Sequence, residues 1–264
     1  MTTIPLEPGP VEWRRLRRAQ ATRSRRVLHA LPEGALPHSD AARRFWSRRT
    51  WSELAAVPAV SQVVLALVRE GAPLDTLGSY TAIAQDEARH AELSRAVAER
   101  LGGYDADVPD GLDYEPGRLA QPSDVPFAVW ALANGCFSET VSLELIRARY
   151  AVTRQPLIRA VLAETLKDEA LHVRAAWLAA GEVLPNLSTA RRRELKAYGA
   201  ALAEMLRRTF GTSGLSPKLR RIEARLRDDT AAAGLGAVSA AKEDAIVDAA
   251  LEAISSRLRR LGIT

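Results

Sequence analysis

The chain is predicted to be all-α: a four-helix bundle with one long crossover, preceded by a basic helix and followed by extra helices. Three observations carry this. Only 5% of the 264 residues are aromatic, while Ala, Leu and Arg abound, which favours helices over sheets. Apolar residues recur at helical spacing through long segments almost free of Pro. The breaks between these segments run short, long, short: Gly71-Ala72-Pro73, about 20 residues from Gly103 to Pro122, and a turn near residue 154. A loop of that length inside a compact domain is explained by a crossover between parallel neighbours.

Each element has its own warrant. Pro5, Pro8 and Pro10 make residues 1–10 an extended arm. Val11 to Leu31 reads as a basic helix with Trp13, Leu16, Ala19 and Val27 as sparse apolar contacts, and Pro32 to Pro37 as a loop. Asp40 is expected to cap the next helix, which runs to about Glu70 with Phe45, Trp46, Leu54, Val57, Val60, Val64 and Leu67 at helical spacing. Pro58 inside it removes a backbone bond, clashes with the Leu54 carbonyl and should kink it. A second helix spans about Asp75 to Leu101 and stops at Gly102-Gly103. Ser123 or Asp124 is placed to cap a third, with Pro126 in its first turn and an end near Tyr150. The fourth runs from about Pro156 to Ala180 and should end at Gly181. Ser188 to Phe210, a short helix near Pro217–Arg227, and about Ala237 to Leu261 complete the chain. The expected organisation is a basic arm and helix (1–39), a four-helix bundle (40–181) and C-terminal helices packing on it (182–264).

Charge is uneven. Residues 1–50 hold eleven Arg against four acids, a net of +7, while the whole chain is +5. The basic arm therefore reads as a solvated helix face or as a docking surface for an acidic partner. Cys136 stands alone, so no internal disulfide forms, which fits a reducing cytoplasm. No uninterrupted run of 18 apolar residues suggests a membrane span, and no apolar region follows the basic start as in a signal peptide.

The chemistry sits in two stretches, Asp86-Glu87-Ala88-Arg89-His90 and Asp168-Glu169-Ala170-Leu171-His172. Both read D-E-x-x-H inside expected helices, where residues three apart share a face. With four His and 32 acids in the chain, two such matches arise by chance roughly once in 700. Two facing helices of this kind hold two metal ions once each remaining helix adds a carboxylate. Mirror positions across the hairpin turns point to Glu139 in one pair. In the other they point near residue 58, where the nearest acid, Glu53, lies about 7 Å too far along an ideal helix. The expected centre has Glu53 and His90 on one metal, Glu139 and His172 on the other, and Glu87 and Glu169 bridging. Four carboxylates then balance two divalent ions. Asp86 is expected to reach His172 and Asp168 to reach His90, each fixing a tautomer.

These residues resemble the ferritin-like superfamily of carboxylate-bridged diiron proteins, over about residues 40–181. The order Glu, E-x-x-H, Glu, E-x-x-H is similar to its oxygen-activating branch, which includes bacterial multicomponent monooxygenases, acyl-carrier desaturases and the ribonucleotide reductase radical subunit. The 34-residue step from Glu53 to Glu87 also resembles ferritin-like proteins of high-GC bacteria. Ser94 stands where the reductase has its radical Tyr, Thr165 where the arylamine N-oxygenases have a seventh ligand, and Leu143 where monooxygenases have a Thr. The resemblance implies two Fe ions (or Mn, or a mixed Fe/Mn pair) and a cytoplasmic enzyme that uses O2 to hydroxylate, desaturate or N-oxygenate an organic substrate. It also implies an external donor such as a ferredoxin or flavin reductase. The alternatives are a ferroxidase or iron-handling protein, and a dimanganese enzyme consuming peroxide. The basic arm extends the partner expectation to a substrate on acyl carrier protein or tRNA, and the Ala-rich faces of the last helices to a homodimer.

Spacing puts four further residues near the metals. Gly135 and Cys136, four and three before Glu139, share its face on an α-helix, and Gly135 leaves room for O2 or substrate or else allows close helix packing. Leu143 lies four beyond Glu139. Tyr80, two turns before Glu87, is an electron relay or a packing residue.

Overall fold

The computed structural model describes residues 36–72, 74–105 and 131–263. The basic arm and helix, the crossover and the Ser123 or Asp124 start of the third helix lie outside the described residues. Among the described residues seven α-helices follow in order: α1 (Asp40–Arg69), α2 (Leu74–Arg100), α3 (Thr140–Val152), α4 (Pro156–Val183), α5 (Thr189–Thr209), α6 (Pro217–Ala233) and α7 (Ala240–Arg260). No strand occurs among the described residues. A π-helical stretch, Ala131–Glu139, leads directly into α3.

Local chemistry explains the helix ends. Ser39, rather than Asp40, caps α1, its hydroxyl accepting from the Ala42 amide at 3.2 Å; Asp40 occupies the first turn, where its charge suits the helix dipole. Gly71 ends the α1 connection with a φ of +66°, which a side chain would resist. Gly181 does not end α4; the helix runs to Val183 and stops at the Pro185 turn. A lone Gly inside a packed helix costs about 1 kcal/mol, too little to break it against the burial of Ala179, Ala180 and Leu184. The helix near Pro217 is longer than expected and reaches Ala233. Arg192, in the basic opening turn of α5, folds back to donate to the Leu187 and Pro185 carbonyls, which offsets its unfavourable place in the dipole.

Three apolar clusters hold the helices together. Val60, Val63 and Leu67 of α1 meet Tyr80 and Ile83 of α2 and Ala179 of α4. Trp46 of α1, Leu93 and Val97 of α2, and Ile158 and Leu162 of α4 enclose Leu235 from the α6–α7 connection. The third joins α3, α4, α5 and α7 through Leu145, Trp177, Leu202 and Ile254. The last helices therefore share the core of the first four. Trp46 is fully buried, and its indole donates to the Leu235 carbonyl at 2.8 Å. Burying one such side chain stabilises by about 2–3 kcal/mol. Gly236 packs so tightly there that an added Cβ would lie 2.7 Å from Trp46.

A buried ion network ties α6 and α7 to the site-bearing helices. Glu243 of α7, fully buried, accepts from Arg149 of α3 at 2.8 Å and from Arg227 of α6. Glu223 of α6 pairs with Arg227 at 2.7 Å and with Arg48 of α1. α1 is long and apolar enough, by length and composition, to cross a bilayer, although polar residues interrupt its apolar run. Its buried face carries Arg49, Thr50 and Glu53 and lies against the other helices.

Candidate metal centre

Helical spacing builds the centre. α2 presents Glu87 and His90 one turn apart, and α4 presents Glu169 and His172 in the same way. All four are at most 2% exposed. Glu139 closes the π-helical stretch and Glu53 comes from α1; both are buried. The structure brings these six side chains together in two overlapping groups: Glu87, Glu139, Glu169 and His172, and Glu53, His90 and Glu169, with donor atoms in each within 4.8 Å of one another. Glu169 belongs to both groups. Glu87 also faces both imidazoles, with Oε1 3.3 Å from His172 Nδ1 and Oε2 3.8 Å from His90 Nδ1. The two rings lie 5.8 Å apart.

Asp86 lies 3.3 Å from His172 Nε2, and Asp168 lies 3.2 Å from His90 Nε2, each reaching across to the other motif. A carboxylate at Nε2 requires that nitrogen to carry the proton, which leaves the Nδ1 lone pair for the centre. Both Nδ1 atoms, and Glu169 Oε2, are buried without a hydrogen-bond partner. Lone pairs and carboxylate oxygens crowded in a buried site find too few donors to satisfy them, whereas a cation satisfies all of them at once. The residues present therefore fit a metal. Carboxylate and imidazole donors suit iron, manganese or zinc.

The ionisation of the side chains themselves reflects the crowding. Burial pushes Glu53 up to about 7 against the pull of Arg49 at 2.7 Å, with Glu87 adding repulsion. Burial, then Glu139 and Glu87, raises Glu169 well above its ordinary value. Burial opposes charge on His90, but its bond to Asp168 and the Glu87 and Glu53 carboxylates raise it to about 9. His172 is raised in the same way, with Asp86 as its first partner. Burial also works against Glu87, which both imidazoles nevertheless hold well below the carboxylate range. Asp168 is lowered to about 2, because His90 and Arg89 outweigh its burial.

Arg89 was not singled out by spacing, although it stands inside the first motif. It pairs with Asp86 at 2.6 Å and with Asp168, clamping together the two aspartates that orient the two histidines. Its place three residues after Asp86 was the available signal. Arg49 was missed too; it sits four before Glu53, on the same face. Replacing Arg89 with Met should weaken metal binding about 10- to 100-fold with the helical fold kept, measured by competition against a chelator. Unchanged affinity would mean that the aspartates need no clamp.

Of the four expected pocket residues, Tyr80 lines a described cavity and the other three line neither of the two described. At Gly135 there is no room: an added Cβ would meet Ala176 Cβ at 2.4 Å, so this glycine serves close packing against α4. Cys136 is carried off the Glu139 face by the wider π-helical turn and packs in the core, its thiol 3.8 Å from the Ala176 carbonyl and pushed up by burial. Leu143 is buried but lines no described cavity. Tyr80 lines a groove between α2 and α4 that also touches Asp86 and His172. Thr165 donates to the Val161 carbonyl, four residues back on its own helix. The cavity that meets the carboxylates is a different one, about 110 Å³, between α1, α3, α5 and α6. Glu53, Glu87, Glu139 and Glu169 form one wall, and Phe45, Val60, Leu145, Phe210 and Leu226 supply apolar surface. No motif announces its α5 and α6 walls, because they are assembled only by packing.

No protein-family model matches the chain, and no curated protein matches it.

Proposed function

We propose that the centre holds two divalent metal ions, iron first, and that the chain is a ferritin-like, carboxylate-bridged diiron oxidase or oxygenase acting on an organic substrate. The observation that carries this reading is the pair of buried imidazoles whose Nδ1 atoms face four carboxylates while aspartates hold their Nε2 atoms. Glu53 and His90 would hold one ion, Glu139 and His172 the other, with Glu87 and Glu169 shared. When bound, iron supplies O2 activation, in which a substrate C–H or N–H bond, one O2, two protons and two electrons from an external donor give hydroxylated product and water.

The chain contributes the surroundings. Burial shields all six donors from bulk water. Asp86 and Asp168 fix the imidazoles, and the Ser142 hydroxyl donates to Glu169 Oε1 at 3.4 Å. The adjoining cavity favours an organic substrate over plain iron handling, since a ferroxidase has no use for a chamber beside its ions that combines charged and apolar walls.

The test is metal content per chain after expression with iron, followed by reduction and an oxygen electrode. About two irons and O2 uptake on reduction are expected. Iron-loaded protein that takes up no O2 with any reductant would sink the oxidase reading, and two manganese ions with peroxide breakdown would replace it.

A further inference from the structure

The cavity beside the carboxylates has a second property: it is lined with cations. Arg48, Arg49, Arg149 and Arg227 all border it. Outside the candidate metal centre, the carboxylates described as partnering them are Glu223 and Glu243. Arg227 sits between those two acids and spends its donors on both. Arg48 and Arg149 each reach one oxygen of one acid. Arg49 is paired with Glu53 at 2.7 Å, a carboxylate whose charge a bound metal would take up. Four guanidiniums thus face two available carboxylates, an excess of two positive charges among the described residues. Burial above all, with Arg49 and Arg227 adding to it against the pull of Glu243, holds the Arg149 guanidinium below its usual value.

We infer that this cavity is the substrate pocket and that it takes a small organic acid, its carboxylate held among Arg48, Arg49 and Arg149 and its apolar body against Phe45, Leu145, Phe210 and Leu226. This rests on the two-metal reading above, because the second of these two charges is free only when Glu53 serves a cation. Planar guanidiniums recognise a carboxylate through paired hydrogen bonds, which an amide of the same shape does not reproduce. The size agrees: 110 Å³ of space open to a water-sized sphere holds roughly 7–11 waters, so the acid has about as many non-hydrogen atoms.

The experiment titrates anaerobic, Fe(II)-loaded full-length chain with benzoate and hexanoate, and with benzamide and hexanamide, by calorimetry. At least one acid should bind about tenfold tighter than its amide. Arg48→Gln should remove about that tenfold for the acid and leave the amide unchanged; Glu223 keeps Arg227 as its partner, so the variant retains a paired network. The acid–amide comparison on the unaltered chain does not depend on that variant folding. Acids that bind no better than their amides overturn the pocket while the metal reading stands. Acids that bind equally to Arg48→Gln overturn it too. A chain that takes up no metal overturns both.

Discussion

Glu169→Ala is expected to reduce bound iron from about two per chain to below one, the largest single effect at the centre. Glu169 is the one side chain in both ligand groups, so its removal strips a donor from each ion. The isosteric Glu169→Gln separates binding from folding. Burial and the nearby Glu139 and Glu87 charges disfavour an ionised Glu169 in the metal-free chain. A neutral amide relieves that repulsion. Metal-free Glu169→Gln should therefore melt at or above the metal-free parent at pH 8, by roughly 2–4 °C per kcal/mol relieved, while its metal-loaded form melts below the loaded parent. Thermal melts with and without iron read both signs. A variant that keeps two irons would remove Glu169 from the centre.

The second large effect is a pH dependence that metal reverses. In the metal-free fold Glu53 and Glu169 hold protons that the unfolded chain releases near 4.5, and His90 and His172 hold protons released near 6.5. Raised folded values mean that this stability is complete at low pH. It is lost as pH rises through about 7 for Glu53 and about 9 for His90. Glu87 and Asp168 are lowered instead, so their contribution is lost only in acid, below the carboxylate range. Between pH 5 and pH 9 the metal-free protein should lose stability, with Glu53 alone contributing about 3 kcal/mol and a fall in Tm of roughly 6–12 °C. Metal requires the same groups deprotonated, so its stabilisation grows over that range. The gap between loaded and metal-free Tm should widen from pH 5.5 to 8.5. A constant gap would mean that the ions bind outside these groups.

Much of the centre was written in the order of residues. Two D-E-x-x-H stretches need only helical spacing to align a carboxylate with an imidazole, and Asp one residue earlier sits at the edge of the same face, free to cross to the neighbouring helix. Such i, i+3 relations are local, and all-α character and most helix limits were legible for the same reason. The end of α4 lies beyond Gly181 because buried neighbours carry that glycine along, whereas the α1 cap turns on a local choice, the Ser39 hydroxyl taking the Ala42 amide and leaving Asp40 in the first turn.

What tertiary structure alone decided is the third dimension of the site. Glu53 looked too far from the centre along an ideal helix, yet the way α1 packs brings it into a group with His90 and Glu169. The π-helical turn before Glu139 moves Cys136 off the face that α-helical arithmetic assigned it. Gly135 could mean space or contact, and only Ala176 opposite settles it as contact. The Arg89 clamp and the arginine-lined cavity join helices far apart in the chain. The sequence by itself determined which groups can bind metal, because that depends on residue type and helical phase. The structure decided what surrounds them, because a cavity and its charge exist only between surfaces that packing brings together.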